Sequence, residues 1–281
     1  RREERSSGLM KIDFSSIEAD RTSFVLSESH IAFANALRRA MQSEVRSFAI
    51  EDVRIYDNTS ALFDEMLAHR LGLIPLTTDL QSYIPRDQCS CGGKGCAQCT
   101  VTLTMSVEGP RMVISDDLIS QDPAVRPAVG NVPIVKLEKN QKVVIEAYAI
   151  LDRGIAHSKW QPVTVCGYKN YPLISADSRC DGCGLCVEVC PKNILEVKGG
   201  AIAVKDGADS SCSLCRLCEQ ACLNSGIGDE PAIHIGMDDS RFIFSMESDG
   251  SLPAIEILKQ GLLYLKTQSD ELLEALSEIR G

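Results

Sequence analysis

The 281-residue chain has no run of about 18 uncharged apolar residues, so no segment is expected to span a membrane. No apolar signal segment opens it; residues Arg1 to Leu9 read as a polar leader, with Met10 as the expected start. A basic excess is also missing. Lys and Arg number 29 against 39 Asp and Glu, for a formal net charge of −10. A free-standing DNA binder needs a basic face, so direct sequence-specific DNA binding is a poor first reading and a large protein assembly fits better. There is no Walker loop, no dinucleotide fingerprint and no aspartate-rich magnesium motif, and no catalytic residue is nominated. His30, His157 and His234 show no ligand pattern and read as structural. The remaining composition, 44% hydrophobic and 24% charged, is that of a globular chain long enough for two or three domains.

Cysteine is the residue in surplus, at 13 positions that are strongly clustered. In a chain with no secretion signal, clusters point to metal rather than to a disulfide framework. One run is Cys180-x2-Cys183-x2-Cys186-x3-Cys190-Pro191; another is Cys212-x2-Cys215-x2-Cys218-x3-Cys222. Each cysteine of the second lies 32 positions after its counterpart, and matching apolar segments follow, Ala201–Val204 and Ala232–Ile235. Each half reads as a cysteine loop, a short helix and a strand. Three thiolates spaced by two residues wrap one cubane corner, while the fourth, expected to start the short helix, turns to the other cluster. This assigns Cys180, Cys183, Cys186 and Cys222 to one [4Fe–4S] cluster and Cys212, Cys215, Cys218 and Cys190 to a second, with a [3Fe–4S] form at one site left open. The alternative is a zinc or disulfide knot. Leu223 stands where the pattern has a second proline, a position that supplies no ligand.

Upstream, Cys89-x-Cys91-x4-Cys96-x2-Cys99 lies in a glycine-rich stretch. Four thiolates on a short flexible loop suit tetrahedral zinc; the alternatives are four reduced cysteines or two disulfides. Cys166 stands alone and reads as a small buried apolar residue.

Hydrophobic spacing places a hairpin over Lys11–Ile17 and Thr22–Leu26, then a helix capped by Ser27 or Ser29 with Phe33, Leu37, Met41 and Val45 on one face and Arg38, Arg39 and Arg46 elsewhere. A strand over Ala49–Tyr56 and a helix over Leu62–Leu71, stopped by Gly72 and Pro75, follow. Val101–Val107 and Val143–Leu151 read as strands. In the C-terminal segment, Ile255, Leu258, Leu262, Leu265, Leu272, Leu276 and Ile279 recur on three- and four-residue steps, interrupted only at Ser269. This 3.5-residue repeat is a seam for another helix, from this chain or another subunit.

The stretch Phe33-Ala34-Asn35-Ala36-Leu37-Arg38-Arg39-Ala40-Met41 resembles the first helix of the alpha-like subunits of RNA polymerase. The stretch from Ala49 through Tyr56-Asp57-Asn58-Thr59-Ser60 to Asp64–Leu76 resembles the family's next segment. With the ferredoxin-like two-cluster insertion, the chain from Met10 to Gly281 resembles the archaeal members of that family. The resemblance implies an α+β fold in three parts: a discontinuous alpha-like dimerisation domain (10–50 and 236–281), an inserted mostly-β domain (51–175) carrying the zinc-type loop, and a ferredoxin-like domain (176–235). It implies a heterodimer with the small alpha-like subunit L, with Phe33, Leu37, Met41, Ile255, Leu258, Leu262, Leu265 and Leu272 at the interface. It implies contact of Arg38, Arg39, His69 and Arg70 with the large polymerase subunits. Eukaryotic relatives carry a zinc loop where Cys89–Cys99 lies, with one residue fewer between the second and third cysteines.

Two functions compete. One is a non-catalytic assembly subunit of DNA-directed RNA polymerase in transcription, cytoplasmic, whose clusters are structural and redox-sensing. The other is a ferredoxin-type electron-transfer subunit of a redox enzyme, against which stands the small share of the chain, about 55 of 281 residues, that the cluster module fills.

Overall fold

The computed structural model describes residues 9–226 and 228–279. Arg1–Gly8 of the expected leader, Ile227, and Arg280 and Gly281 at the end of the expected dimerisation domain lie outside the described residues, as does the side chain of Ile279, the last position of the heptad series. The elements run β1 (Lys11–Ile17), β2 (Arg21–Ser27), α1 (Ile31–Ser43), β3 (Arg46–Asn58), α2 (Asp64–Gly72), β4 (Thr100–Glu108), β5 (Arg111–Ile114), β6 (Ile119–Ser120), β7 (Pro133–Leu137), β8 (Lys142–Arg153) and β9 (Val163–Ala176). Then come α3 (Leu185–Glu188), β10 (Leu195–Lys198), β11 (Ala201–Val204), α4 (Leu217–Asn224), β12 (Ile233–Ser248) and α5 (Ala254–Ile279). The fold is α+β, as the sequence implied.

The described residues form two compact units. The first gathers the chain through Ser15, Ser23–Ala34 and Tyr168–Phe244; the second gathers Ser16–Thr22, Asn35–Gly167 and the segment from Ser245 onward. Four strands in the order β1-β2-β12-β9 make one sheet.

In the first unit, Phe24 of β2 stacks on Phe244 of β12, with centroids 4.9 Å apart and planes 5° from parallel. Tyr168 of β9 meets Phe242 edge-on at 5.7 Å. These offset and edge contacts add to the burial of the rings themselves. α1 begins here, and its cap is neither Ser27 nor Ser29. The Nδ1 of His30 accepts the amide of Ala32 at 3.1 Å, while the Ser29 hydroxyl has no partner. A histidine ring nitrogen thus satisfies an orphan helix donor that serine usually takes.

The second unit is built on the sheet β3-β8-β4-β6. Alternation along β8 sends Val143, Ile145, Ala147 and Ala149 to one face, all buried. The same core receives Leu67 and Leu71 from α2, both 0% exposed; burying each such side chain contributes about 1.5–3 kcal/mol. Bulges at Ile50/Asp52 and Ile55/Asp57 let long β3 follow β8 through its twist. The N-terminal turn ties directly to the start of α5, since the amide of Ala254 donates to the Ala19 carbonyl at 3.0 Å.

The C-terminal part of α1 packs on α5. A Cβ on Gly261 would come within 2.8 Å of Met41 Cγ and 3.4 Å of its backbone nitrogen. Glycine is what lets the two helices approach this closely. Of the expected interface positions, Leu37 and Met41 are 0% exposed and Leu258 2%, so these three pack within the chain's own core. Replacing Gly261 with Leu should overpack this crossing and cost about 1–3 kcal/mol. Urea denaturation of the purified variant checks this; an unchanged midpoint would mean that the helices part without cost.

Candidate metal centres

The Cys89–Cys99 loop lies between a 3-10 turn at Arg86–Gln88 and the start of β4. Its four sulfurs all lie within 4.8 Å of one another. Cys89 and Cys96 are 3.5 Å apart, Cys91 and Cys99 3.6 Å, and Cys96 and Cys99 3.8 Å. Four thiolates about 2.3 Å from one tetrahedral ion stand about 3.8 Å apart, so this spacing fits a single small cation. The backbone folds around it by tight turns, Gly92 N–H to the Cys89 carbonyl and Cys99 N–H to the Cys96 carbonyl, each 3.0 Å. Gly95 holds φ +84 with Thr100 Oγ1 3.3 Å from where a Cβ would stand, so it admits no side chain comfortably.

The electrostatics of the loop match that reading. At Cys89 the Cys91 amide favours ionisation, but burial and the thiol groups of Cys96, Cys91 and Cys99 push the pKa up to about 12. At Cys91 burial opposes ionisation, yet the thiols of Cys89 and Cys99, the Gly95 amide and Cys96 outweigh it and bring the pKa down to about 6. Cys91 is thus drawn toward the thiolate and Cys89 toward the thiol, and a cation bound among the four sulfurs would displace their protons.

The two downstream runs fold alike. Gly182 and Gly184 hold φ +69 and +83, and their counterparts 32 positions on, Leu214 and Arg216, both hold φ +59. The left-handed turns that bend the first cysteine loop thus recur in the second, although the second has no glycine to accommodate them. Gly182 has no room for a side chain, since a Cβ would lie 2.7 Å from the Gly200 carbonyl. The placement of the fourth cysteine differs from expectation. Cys186 and Cys218 sit in α3 and α4, whereas Cys190 follows α3 and Cys222 lies in the last turn of α4. The short helices start one residue before the third cysteine, at Leu185 and Leu217, directly after the left-handed Gly184 and Arg216.

The cross-pairing of the runs has physical support. Burial, then the sulfurs of Cys183, Cys180 and Cys222, push the Cys186 thiol up to about 11, so these four side chains share one electrostatic neighbourhood. Cys190, Cys212, Cys215 and Cys218 line one small cavity of about 20 Å³, together with Ile174, Ile194, Leu195, Leu217 and Ile235. Burial first, and further on Glu219 and Cys212, push Cys218 up to about 11. Buried thiols that resist ionisation alone are suited to a positively charged iron core. The core of the lobe is itself partly cysteine: Cys186, Cys212, Cys218 and Cys222 pack with Ile194, Leu195, Ala232, Ile233 and Ile235.

Residues 53–165 match the RNA polymerase Rpb3/RpoA insert domain, and residues 179–225 match the 4Fe-4S dicluster domain. The DNA-directed RNA polymerase subunit Rpo3 of Methanosarcina acetivorans is 45% identical over 271 residues, covering 96% of this chain and 99% of the relative. The chain belongs to the Rpo3 family. Rpo3 of Archaeoglobus fulgidus is 38% identical over 261 residues, covering 92% of this chain and 94% of its own, and Rpo3 of Methanothermobacter thermautotrophicus is 39% identical over 253, covering 89% and 92%. The iron–sulfur module therefore sits inside an Rpo3-type chain and is not a free ferredoxin.

The remaining nominated positions scatter over the Rpo3-type fold. Phe33, Ile255, Leu262 and Leu265 are half-buried, and Leu272 is 62% exposed. Arg38 is held by its own helix, donating to Asn35 Oδ1 at 3.1 Å and Gln42 Oε1 at 3.1 Å, while Arg39 is exposed. Arg70 donates to the Ile134 carbonyl at 2.6 Å, and His69 is exposed beside it. Sequence reading passed over Phe63, Met66 and Leu73, exposed by 79%, 49% and 51% on and next to α2; three large apolar side chains open on one short helix were the available signal. Cys166 is half-buried, its thiol pushed up to about 11 by burial.

In the metal-free chain Cys91 should be the first cysteine of its loop to react with iodoacetamide. Because the thiolate is the nucleophile, its rate should rise with pH, reach half its maximum near pH 6, and be flat by pH 8, as peptide mass mapping would show. A rise centred near pH 9 would contradict the shared-proton picture.

Proposed function

We propose that this chain is a non-catalytic assembly subunit of archaeal DNA-directed RNA polymerase, pairing with the small alpha-like subunit L and then docking the large subunits. The observation that carries the reading is α5. Its first turns are buried as far as Gly261, whereas Leu263, Leu272, Leu273 and Leu276 are 54%, 62%, 65% and 50% exposed. Leu272 and Leu276 lie on the 3.5-residue repeat and Leu263 and Leu273 beside it, and a helix that leaves this much apolar surface open calls for a partner. Half-buried Phe33, Ile255, Leu262 and Leu265 join the bare turns in that interface. The relatives, named as polymerase subunits over nearly their whole length, give the reading its context. Exposed His69 and Arg39, with Arg70, Arg38 and the apolar side chains Phe63, Met66 and Leu73, are the surfaces assigned to the large subunits. The three-part division is kept: dimerisation domain 10–50 and 236–281, insert 51–175, ferredoxin-like domain 176–235.

The cofactors follow the donor sets. Cys180, Cys183, Cys186 and Cys222 would hold one [4Fe–4S] cluster, Cys190, Cys212, Cys215 and Cys218 another, and Cys89, Cys91, Cys96 and Cys99 one zinc. When bound, the clusters supply cross-links and a one-electron couple. The cysteines replace a hydrophobic core that a lobe of about 55 residues can barely furnish. Reduced thiolates in this number suit the cytoplasm. No helix among the described residues is long and apolar enough to cross a membrane. The electron-carrier alternative leaves the Rpb3/RpoA-type insert unexplained.

Replacing Leu272 and Leu276 together with Asp should abolish one-to-one copurification with a co-expressed small alpha-like subunit while leaving the chain folded by circular dichroism. A stable complex with the double variant would remove α5 from the interface. The anaerobically purified chain should carry about eight irons and one zinc. Cys183→Ser or Cys215→Ser should lower the iron content, leave the heterodimer intact and weaken capture of the large subunits; capture equal to the parent's would deny the clusters an assembly role.

A further inference from the structure

The internal repeat allows the two cluster sites to be compared position by position. Asp181 in the first loop corresponds to Ser213 in the second, and Gly184 corresponds to Arg216. At matched places the second loop thus loses an anion and gains a cation. Arg216 is held at φ +59, where its counterpart Gly184 sits without strain, and it lines the cavity formed by Cys190, Cys212, Cys215 and Cys218. Retaining a charged side chain in a conformation that favours glycine is the kind of local conflict that marks a functional position. Lys192 lines the same cavity. A third cation comes from outside the repeat: Lys169, on β9, places its Nζ 2.5 Å from the carbonyl oxygen of Cys212. The anion added to this loop, Glu219 in place of Val187, is engaged: it lies 3.8 Å from Arg216 Nη1 and accepts the Ile235 amide at 2.7 Å.

The first site has the opposite balance. Asp181 accepts the amide of Cys183 at 3.1 Å. The nearby cation Arg179 is bound to Asp177 at 2.7 Å, and His234 lies 3.2 Å from the same carboxylate. Donors to sulfur differ as well. The Leu214 amide reaches Cys212 Sγ at 3.4 Å, and the Leu217 amide and Ser213 hydroxyl reach Cys215. On the first set the Ala232 amide reaches Cys222 Sγ at 3.2 Å.

We propose that Lys169 and Arg216 make the Cys190/Cys212/Cys215/Cys218 cluster the first of the two to accept an electron. The inference rests on the two-cluster reading above. The step is a one-electron reduction by a low-potential donor such as a reduced viologen. The cluster gains one negative charge, no bond is made or broken, and no proton moves. Nearby cations and N–H donors stabilise the more negative state, which raises the reduction potential. Lys169 also links the potential to β9, a scaffold strand, so a movement of that strand would be registered at the cluster.

The test uses the full chain, reconstituted anaerobically with iron and sulfide and titrated with a viologen buffer while the paramagnetic signal of each reduced cluster is followed. The parent should show two separated waves. Lys169→Gln keeps a side-chain amide to donate to the Cys212 carbonyl but removes the charge. It should lower the reduced-to-oxidised ratio of the higher wave about tenfold at fixed potential, a shift of about 59 mV for one electron, and leave the lower wave in place. Lys169→Arg should restore the parent position. Arg216→Gly, which copies Gly184 and relieves the strained backbone, should shift the same wave in the same direction. One unresolved wave in the parent, a shift of the lower wave, or no shift with eight irons bound would each overturn the proposal. Should Lys169→Gln bind fewer irons, Arg216→Gly decides by the same criterion. A parent chain that takes up no iron would instead overturn the two-cluster reading itself.

Discussion

Sulfur atoms brought close together need a positive centre between them. This constraint organises both cysteine regions. In the Cys89–Cys99 loop the sulfurs stand 3.5 to 3.8 Å apart, and without a cation they divide protons unequally, Cys91 ionising while Cys89 resists. In the ferredoxin-like region, Cys186, Cys212, Cys218 and Cys222 are buried among isoleucine and leucine, where unpaired thiolates would be costly. If its cysteines hold the proposed clusters, the folding of a lobe with this core is linked to that binding.

The second constraint is close helix approach. Gly261 brings α5 against Met41, which commits the first turns of α5 to the chain's own core and leaves the later turns bare. One helix therefore serves two purposes along its length. Its buried start fixes direction relative to α1, and its open end presents leucines from a rigid base. In the proposed interface, a helix anchored in this way would lose less freedom on binding than a flexible tail.

Much of the candidate site was legible because it is local. Cysteine spacing reports ligand geometry directly, since three thiolates at two-residue intervals suit one cubane whatever surrounds them, and the repeat at 32 positions shows that the unit occurs twice. The strands of the hairpin and of β8 were legible through alternation, and α2 through its apolar spacing, although the helix includes Gly72 and is capped only at Leu73. What escaped depends on contacts distant in sequence. The burial of Met41 depends on the close approach at Gly261, and heptad spacing alone cannot tell an internal seam from an external one. His30 takes the cap of α1 because its ring nitrogen happens to reach the Ala32 amide.

The sequence by itself determined the family and the iron–sulfur type of the downstream cysteine runs, because ligand type, spacing and an ordered polymerase-like helix are properties of neighbouring residues. Only the tertiary structure decided which leucines of α5 stay open and which cations surround the second cysteine cavity. Lys169 reaches Cys212 from a strand 43 residues away, and charge acts through space, with no regard to chain order.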